Sequence, residues 1–425
     1  MTASAIEIPF EQHRLENGLN VILHQDTSLP RVVLNLWYDV GSKDEAIGRS
    51  GFAHLFEHLM FMGTTRLPHG GFDELMESNG GWNNAWTSED ATDYYDVGPS
   101  HLVETLIWLE ADRMEGLGKA MTQGKLDLQR AVVRNERRQT LEDAPYGEVW
   151  LTLPSLMYPT GHPYSHPVIG SHEDLIAANI SDVMTFFETW YVPNNASLVI
   201  AGDFDPAKVM PFVTQCFGTM AHSKLPDRGV VPHPKLPVTS HKTLIDTRAE
   251  VPLSVMAWHT ATVFTKEDAA FDLVGALLSE GRSSRLYKRL VRSGLALEVD
   301  ATQHSQKLSS LFLIEAKPTE THTLEQIEDI IFEELDDLAT AGPTSEEMQR
   351  VTNQFEVSFI RGMESLQGRA SRLNRYHTIT GEPGFLQNDL DRYRKTTTDD
   401  IQHAARTLSR TRVGRIHVYP PSQTP

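Results

Sequence analysis

Apolar residues recur along this chain in two rhythms, one of strands and one of helices. Between residues 7 and 40 they come in short β-branched and aromatic runs. FEQHRLENGLNVILHQD breaks at Asn17-Gly18, the strongest short signal for a hairpin, and VVLNLWYDVG (32–41) reads as a further strand. Helical spacing then sets in at Phe52, Leu55, Phe56, Leu59 and Met60, with Ser50 as the expected N-cap and Gly63 just past the end. Further helices are predicted from Leu102 to Met114, from about Lys125 to Leu141, and over ISDVMTFFETWY (180–191). ASLVIAGDFD (196–205) is apolar on both faces and reads as a fully buried strand.

The rhythm stops in AHSKLPDRGVVPHPKLPVTS (221–240), which holds four prolines and reads as an extended linker. Beyond it the order of the first half returns in diluted form. VPLSVMAWHTA (251–261) reads as a strand, FDLVGALLSEGRSSRLYKRLV (271–291) as a helix, and LFLIEAKP (311–318) as a strand. TTDDIQHAARTL followed by RVGRIHVYPP parallels the helix and strand that close the first half. The expected fold is therefore α+β, with two related domains, each a mixed and mostly antiparallel sheet packed with helices. The expected boundaries are 1–222 for the N-terminal domain, 223–240 for the linker and 241–425 for the C-terminal domain.

Composition narrows the class of function. With 38 basic and 57 acidic residues in 425, the formal charge is −19, which argues against nucleic acid or an anionic membrane surface as partner. A single cysteine excludes an intrachain disulfide and a thiolate metal site. The amino-terminal stretch lacks a secretory signal pattern and no window reads as a transmembrane helix, so a cytoplasmic location is expected, or a periplasmic one if a signal has been removed.

One constellation carries chemistry: His54-Leu55-Phe56-Glu57-His58. On a helix, His54 and His58 lie one turn apart on one face and can direct imidazole nitrogens at one ion, with Glu57 beside them as a carboxylate that need not be a ligand. This is the H-x-x-E-H arrangement of inverzincins. The bland alternative is a helix with polar residues turned to solvent. A catalytic zinc needs a third protein ligand, and spacing leaves Glu136, Glu104, Glu110, Glu115 and Glu142 all open.

GFAHLFEHLMFMGT (51–64) resembles the zinc-binding helix of the pitrilysin family of metallopeptidases, which includes insulin-degrading enzyme and the mitochondrial processing peptidase. NNAWTSEDATDYY (83–95), VVRNERRQ (132–139) and GHPYSHPVIG (161–170) match in order, so the resemblance runs along the whole chain. It implies half of a clamshell, one zinc per chain held by His54, His58 and Glu136, and Glu57 as general base toward a zinc-activated water. It also implies that Asn84, Ala85, Trp86 and Thr87 form an exposed edge strand holding peptide substrate by β-augmentation. The implied activity is zinc-dependent endopeptidolysis of peptides or unfolded segments within a chamber. The alternative is a catalytically silent scaffold subunit of the same family.

The chain departs from the family pattern twice. Gln129 stands where many relatives carry a second glutamate that supports the metal site. The positions of an Arg and a Tyr that stabilise the substrate oxyanion align with Leu290 and Leu297. Nearby Arg289, Arg292 and Tyr287 read as helix surface. The expected partner is therefore a paralogous chain supplying Arg and Tyr, or a second copy using Arg289 or Arg292. His162 and His166 read as loop-ordering, and His69, His101 and His304 stay outside the site.

Overall fold

A computed structural model describes residues 6–234 and 239–423. The linker proline Pro237 lies outside them. Two sheets organise the chain. The first contains β1 (Glu11–Arg14), β2 (Asn20–Gln25), β3 (Arg31–Tyr38), β4 (Trp82–Thr87), β5 (Thr92–Pro99) and β6 (Ala196–Gly202), in the order β1-β2-β6-β3-β5-β4. The second contains β7 (Ser240–Ile245), β8 (Leu253–Thr260), β9 (Ala296–His304), β10 (Ser310–Pro318) and β11 (Gly414–Tyr419), in the order β7-β11-β8-β10-β9. Each sheet has one parallel pair, β2 with β6 and β7 with β11, and is otherwise antiparallel. The last five strands thus repeat the connectivity of β2 to β6, as the diluted sequence repeat predicts.

Local chemistry accounts for the first sheet. Gly18 takes the left-handed conformation (φ +91°) that the β1–β2 turn requires, and a Cβ there would lie 2.7 Å from Asn194 Cβ. Every residue of β6 is buried, because it runs between β2 and β3 with apolar cover on both faces. Trp82–Thr87 is paired only with β5 among the described residues, which makes β4 a sheet edge.

The helix expected over 271–291 is instead two pieces. Lys266–Leu278 is α-helical, started by the Thr265 side chain, and Tyr287–Val291 forms a separate wide turn. Gly281, at φ +79°, breaks the run between them. The chain divides into two compact units, residues 1–135, 166–229 and 360–387 in one, and 136–165, 230–359 and 388–425 in the other. The boundaries expected in simple chain order do not capture this exchange of segments. Helix Leu366–Thr380 packs on β3 and β6, where Asn374 Nδ2 donates to Asn35 O at 2.7 Å and Oδ1 at 2.8 Å. Helix Glu148–Met157 packs on β7, β8 and β11, with Val149, Leu153 and Met157 in one core with Val255, Ala257, Ile416 and Val418. Each helix sits where its apolar face finds cover, and order along the chain does not dictate that. No helix among the described residues is long and apolar enough to cross a membrane.

Candidate metal centre

The motif helix spans Phe52–Leu59. Phe52, Leu55, Phe56 and Leu59 are buried, while His54, Glu57 and His58 share the partly exposed face. Phe56 anchors the buried side, stacked on Phe187 at 5.7 Å and lying 4.7 Å from Tyr191. The expected cap Ser50 does not cap: Gly51 is the N-cap, and Ser50 Oγ instead donates to Asp174 Oδ2 at 2.5 Å. Gly51 (φ +88°) and Gly170 (φ +73°) touch backbone to backbone, and a Cβ on Gly170 would lie 2.4 Å from Gly51 Cα.

The cap is supplied by Glu45, which the sequence pattern did not single out. Its Oε2 accepts from Gly51 N at 2.9 Å and its Oε1 from Ala53 N at 2.7 Å. Burial pushes the Glu45 carboxyl well above its ordinary range, against the lowering effect of those two N–H groups. His166 Nδ1 lies 3.6 Å from Glu45 Oε2, and burial lowers the His166 imidazole. His162 is stacked on Tyr158 at 4.6 Å and accepts from Tyr164 N at 3.0 Å, which orders its loop.

His54 and His58 present their rings edge to face with centroids 4.8 Å apart. Glu136 arrives from the last turn of helix Gln123–Arg137. Among the described residues these three form the one group of His, Cys, Asp or Glu side chains poised to hold a metal, their ligand atoms all within 4.8 Å of one another. Of the four competing glutamates, Glu104 lies outside this group and the other three are paired elsewhere. Glu110 is buried against Arg113, Glu115 pairs with Arg66 at 2.8 Å, and Glu142 pairs with Arg137 at 2.9 Å. Gln129, two helical turns before Glu136, is buried and directs Nε2 at Met62 Sδ, 2.8 Å away.

The edge strand closes on this group. Thr87, its last residue, donates Oγ1–H to Glu57 Oε2 at 2.6 Å. Ala85 N donates to Oδ1 of Asn84 at 2.9 Å, so this N–H is not tied to β5. Trp86 lies edge-on to Trp37 at 5.1 Å.

Residues 20–148 match the family model described as Insulinase (Peptidase family M16), and residues 177–355 match Peptidase M16 inactive domain. The chain belongs to the M16 family of peptidases. All three grouped side chains and Glu57 lie in the first of these matches. An M16 relative, the zinc protease PqqE of Helicobacter pylori, is 28% identical over 390 residues, covering 89% of this chain and 84% of that protein. Two solved structures share the fold. A protease from Helicobacter pylori superposes with TM-score 0.91 at 24% identity, covering 98% of this chain and 100% of that one. The periplasmic protease PqqL from Escherichia coli gives TM-score 0.78 at 17% identity, covering 98% of this chain but 48% of that one.

The two positions that the family resemblance aligns with the oxyanion Arg and Tyr carry apolar side chains. Leu290 is fully buried in the core of its unit, and Leu297 is 54% exposed on β9. Arg289 is drawn off into ion pairs with Glu333 at 2.7 Å and Glu334 at 3.1 Å, while Arg292 is exposed and Tyr287 half-buried.

Proposed function

We propose that this chain is the metal-carrying subunit of a zinc-dependent endopeptidase that cleaves peptides or unfolded segments enclosed in a chamber. The observation that carries the reading is the convergence of His54, His58 and Glu136 beside a Glu57 held from the edge strand. Two imidazoles and one carboxylate match the donor set of a catalytic zinc, which takes three protein ligands and keeps one position open. Tetrahedral zinc places its ligand atoms roughly 3.3 Å apart, so donors already within 4.8 Å need only small side-chain rotations to meet it. Zinc, when bound, supplies Lewis-acid polarisation of a carbonyl and lowers the pKa of water toward about 7.

The chain's own groups do the rest. Glu57, outside the ligand set, accepts a proton from the attacking water on its carboxylate and returns it to the leaving amine nitrogen. Thr87 fixes the rotamer from which it does so. The open edge of β4 takes an extended peptide through main-chain hydrogen bonds, which demand little of its sequence. Gln129 orders the metal-side helix without adding charge.

The oxyanion partners come from a second chain in this reading. Leu290 and Leu297 have no donor, and Arg289 is held by Glu333 and Glu334. A paralogue supplying Arg and Tyr fits, with a homodimer through exposed Arg292 as the variant form. The 48% coverage of PqqL, a chain about twice as long, is compatible with this chain being half of a closed enzyme.

The test is metal analysis combined with digestion of a mixed peptide library. About one zinc per chain is expected. Cleavage should be lost in Glu57→Gln with zinc retained, and should be enhanced by a paralogue carrying Arg and Tyr. Full activity of the chain alone, unchanged by any paralogue, overturns the two-chain reading. Zinc binding without cleavage under any partner condition favours the scaffold.

A further inference from the structure

The pleat of β4 divides its six side chains between two faces. Asn83, Ala85 and Thr87 turn toward the motif helix and its neighbour: Thr87 bonds Glu57, and Asn83 Nδ2 bonds Asp73 Oδ1 at 3.0 Å. Trp82, Asn84 and Trp86 lie on the opposite face. Both tryptophans are exposed, Trp82 by 46% and Trp86 by 36%. Large exposed aromatics on an unpaired strand edge invite aggregation, and natural edges usually carry charges or proline there instead.

Neither ring is loose. Trp82 stands edge-on to Tyr95 with centroids 5.7 Å apart at 90°, and Trp86 edge-on to Trp37 at 5.1 Å and 88°. Trp86 also donates to Asp93, whose buried carboxyl takes a second hydrogen bond from Asn35 Nδ2 at 2.6 Å. Asp93 therefore presents no exposed negative charge beside the tryptophans. The rings form a braced apolar surface two strand repeats apart.

We propose that Trp82 and Trp86 are specificity-determining residues, selecting peptides that carry aromatic or large aliphatic side chains at the alternate positions facing them. This inference rests on the proposed binding of an extended peptide along β4. A strand paired with β4 brings directly opposed side chains within about 4.5–5.5 Å, so substrate residues opposite Trp82 and Trp86 sit four positions apart. Residues between them in the other phase of the pleat face Glu57 and the metal group, and the tryptophans do not read them. Substrate choice is thus separated from the chemistry by the strand's own alternation.

The test measures binding, independently of cleavage. Extended fluorescent peptides that differ at single positions by Phe, Leu, Arg or Ser are titrated into the full-length, zinc-loaded Glu57→Gln chain and followed by anisotropy. Phe and Leu should bind roughly three- to ten-fold tighter than Ser at the two positions facing the tryptophans, and no tighter at the positions between. Trp82→Ala should erase the preference at one end only, and Trp82→Phe should keep most of it, with circular dichroism matching the parent for both. Preference unaltered by Trp82→Ala, equal preference at consecutive positions, or Arg favoured over Phe overturns the proposal. Selective binding by Glu57→Gln, with no cleavage by the unsubstituted chain under any partner condition, would sink the peptidase reading and leave this one standing. Cleavage without the alternating preference does the reverse. Absence of any peptide binding overturns both.

Discussion

Thr87 Oγ1 donates to Glu57 Oε2 at 2.6 Å, joining the last residue of the sheet edge to the carboxylate of the motif helix. Sheet edge and motif-helix carboxylate are thereby one mechanical unit, because the residue that ends β4 also holds the side chain of Glu57. A hydrogen bond to a charged group contributes about 1.5–3 kcal/mol. Thr87→Val, which keeps the branched shape and removes the hydroxyl, should lower kcat by roughly 10- to 100-fold with KM little changed. Steady-state kinetics on one long peptide checks this, and an equal rise in KM would show that Thr87 binds substrate instead.

His58→Ala and Glu136→Gln each remove one of three converging donors. Both variants should lose stoichiometric zinc on dialysis while the parent keeps it, and the parent treated with a chelator should regain cleavage when zinc is returned. Atomic emission on the dialysed proteins is the measurement. Retention of zinc by Glu136→Gln would return the choice to the other glutamates.

Ala85→Pro removes the N–H that Asn84 now holds and that an incoming strand would take up. KM should rise most for long peptides and little for short ones, since only long chains use the whole edge. Kinetics across a peptide length series reads this out.

Glu45 gives a pH prediction whose sign follows from burial. Its folded pKa lies well above the ordinary 4.5, so the folded state holds this proton at pH values where the unfolded chain has released it. Glu45 therefore favours folding most below about 4.5, and its contribution declines as pH rises toward the elevated folded value. Glu45→Gln mimics the neutral carboxyl and should flatten that decline, so that urea midpoints of variant and parent diverge as pH rises above 4.5. Parallel midpoints across the range would show that the carboxyl titrates normally.

The sequence alone determined the elements and the chemistry that depend on near neighbours. Helical spacing put His54 and His58 on one face with Glu57 beside them, Asn17-Gly18 set a hairpin, and the repeat announced two sheets of the same connectivity. These are properties of a few consecutive dihedrals and of periodic burial, which a short window contains. The family resemblance extended that reach to Glu136, which spacing could not separate from four other glutamates. Only the tertiary structure decided that Glu136 meets the histidines while Glu110, Glu115 and Glu142 are bound elsewhere. It also decided that Glu45 caps the helix in place of Ser50, that Thr87 holds Glu57, and that residues 136–165 and 360–387 change units. Each of those outcomes is a pairing between residues far apart in the chain, chosen by which buried polar group or apolar face lacked a partner, and no local pattern records that choice.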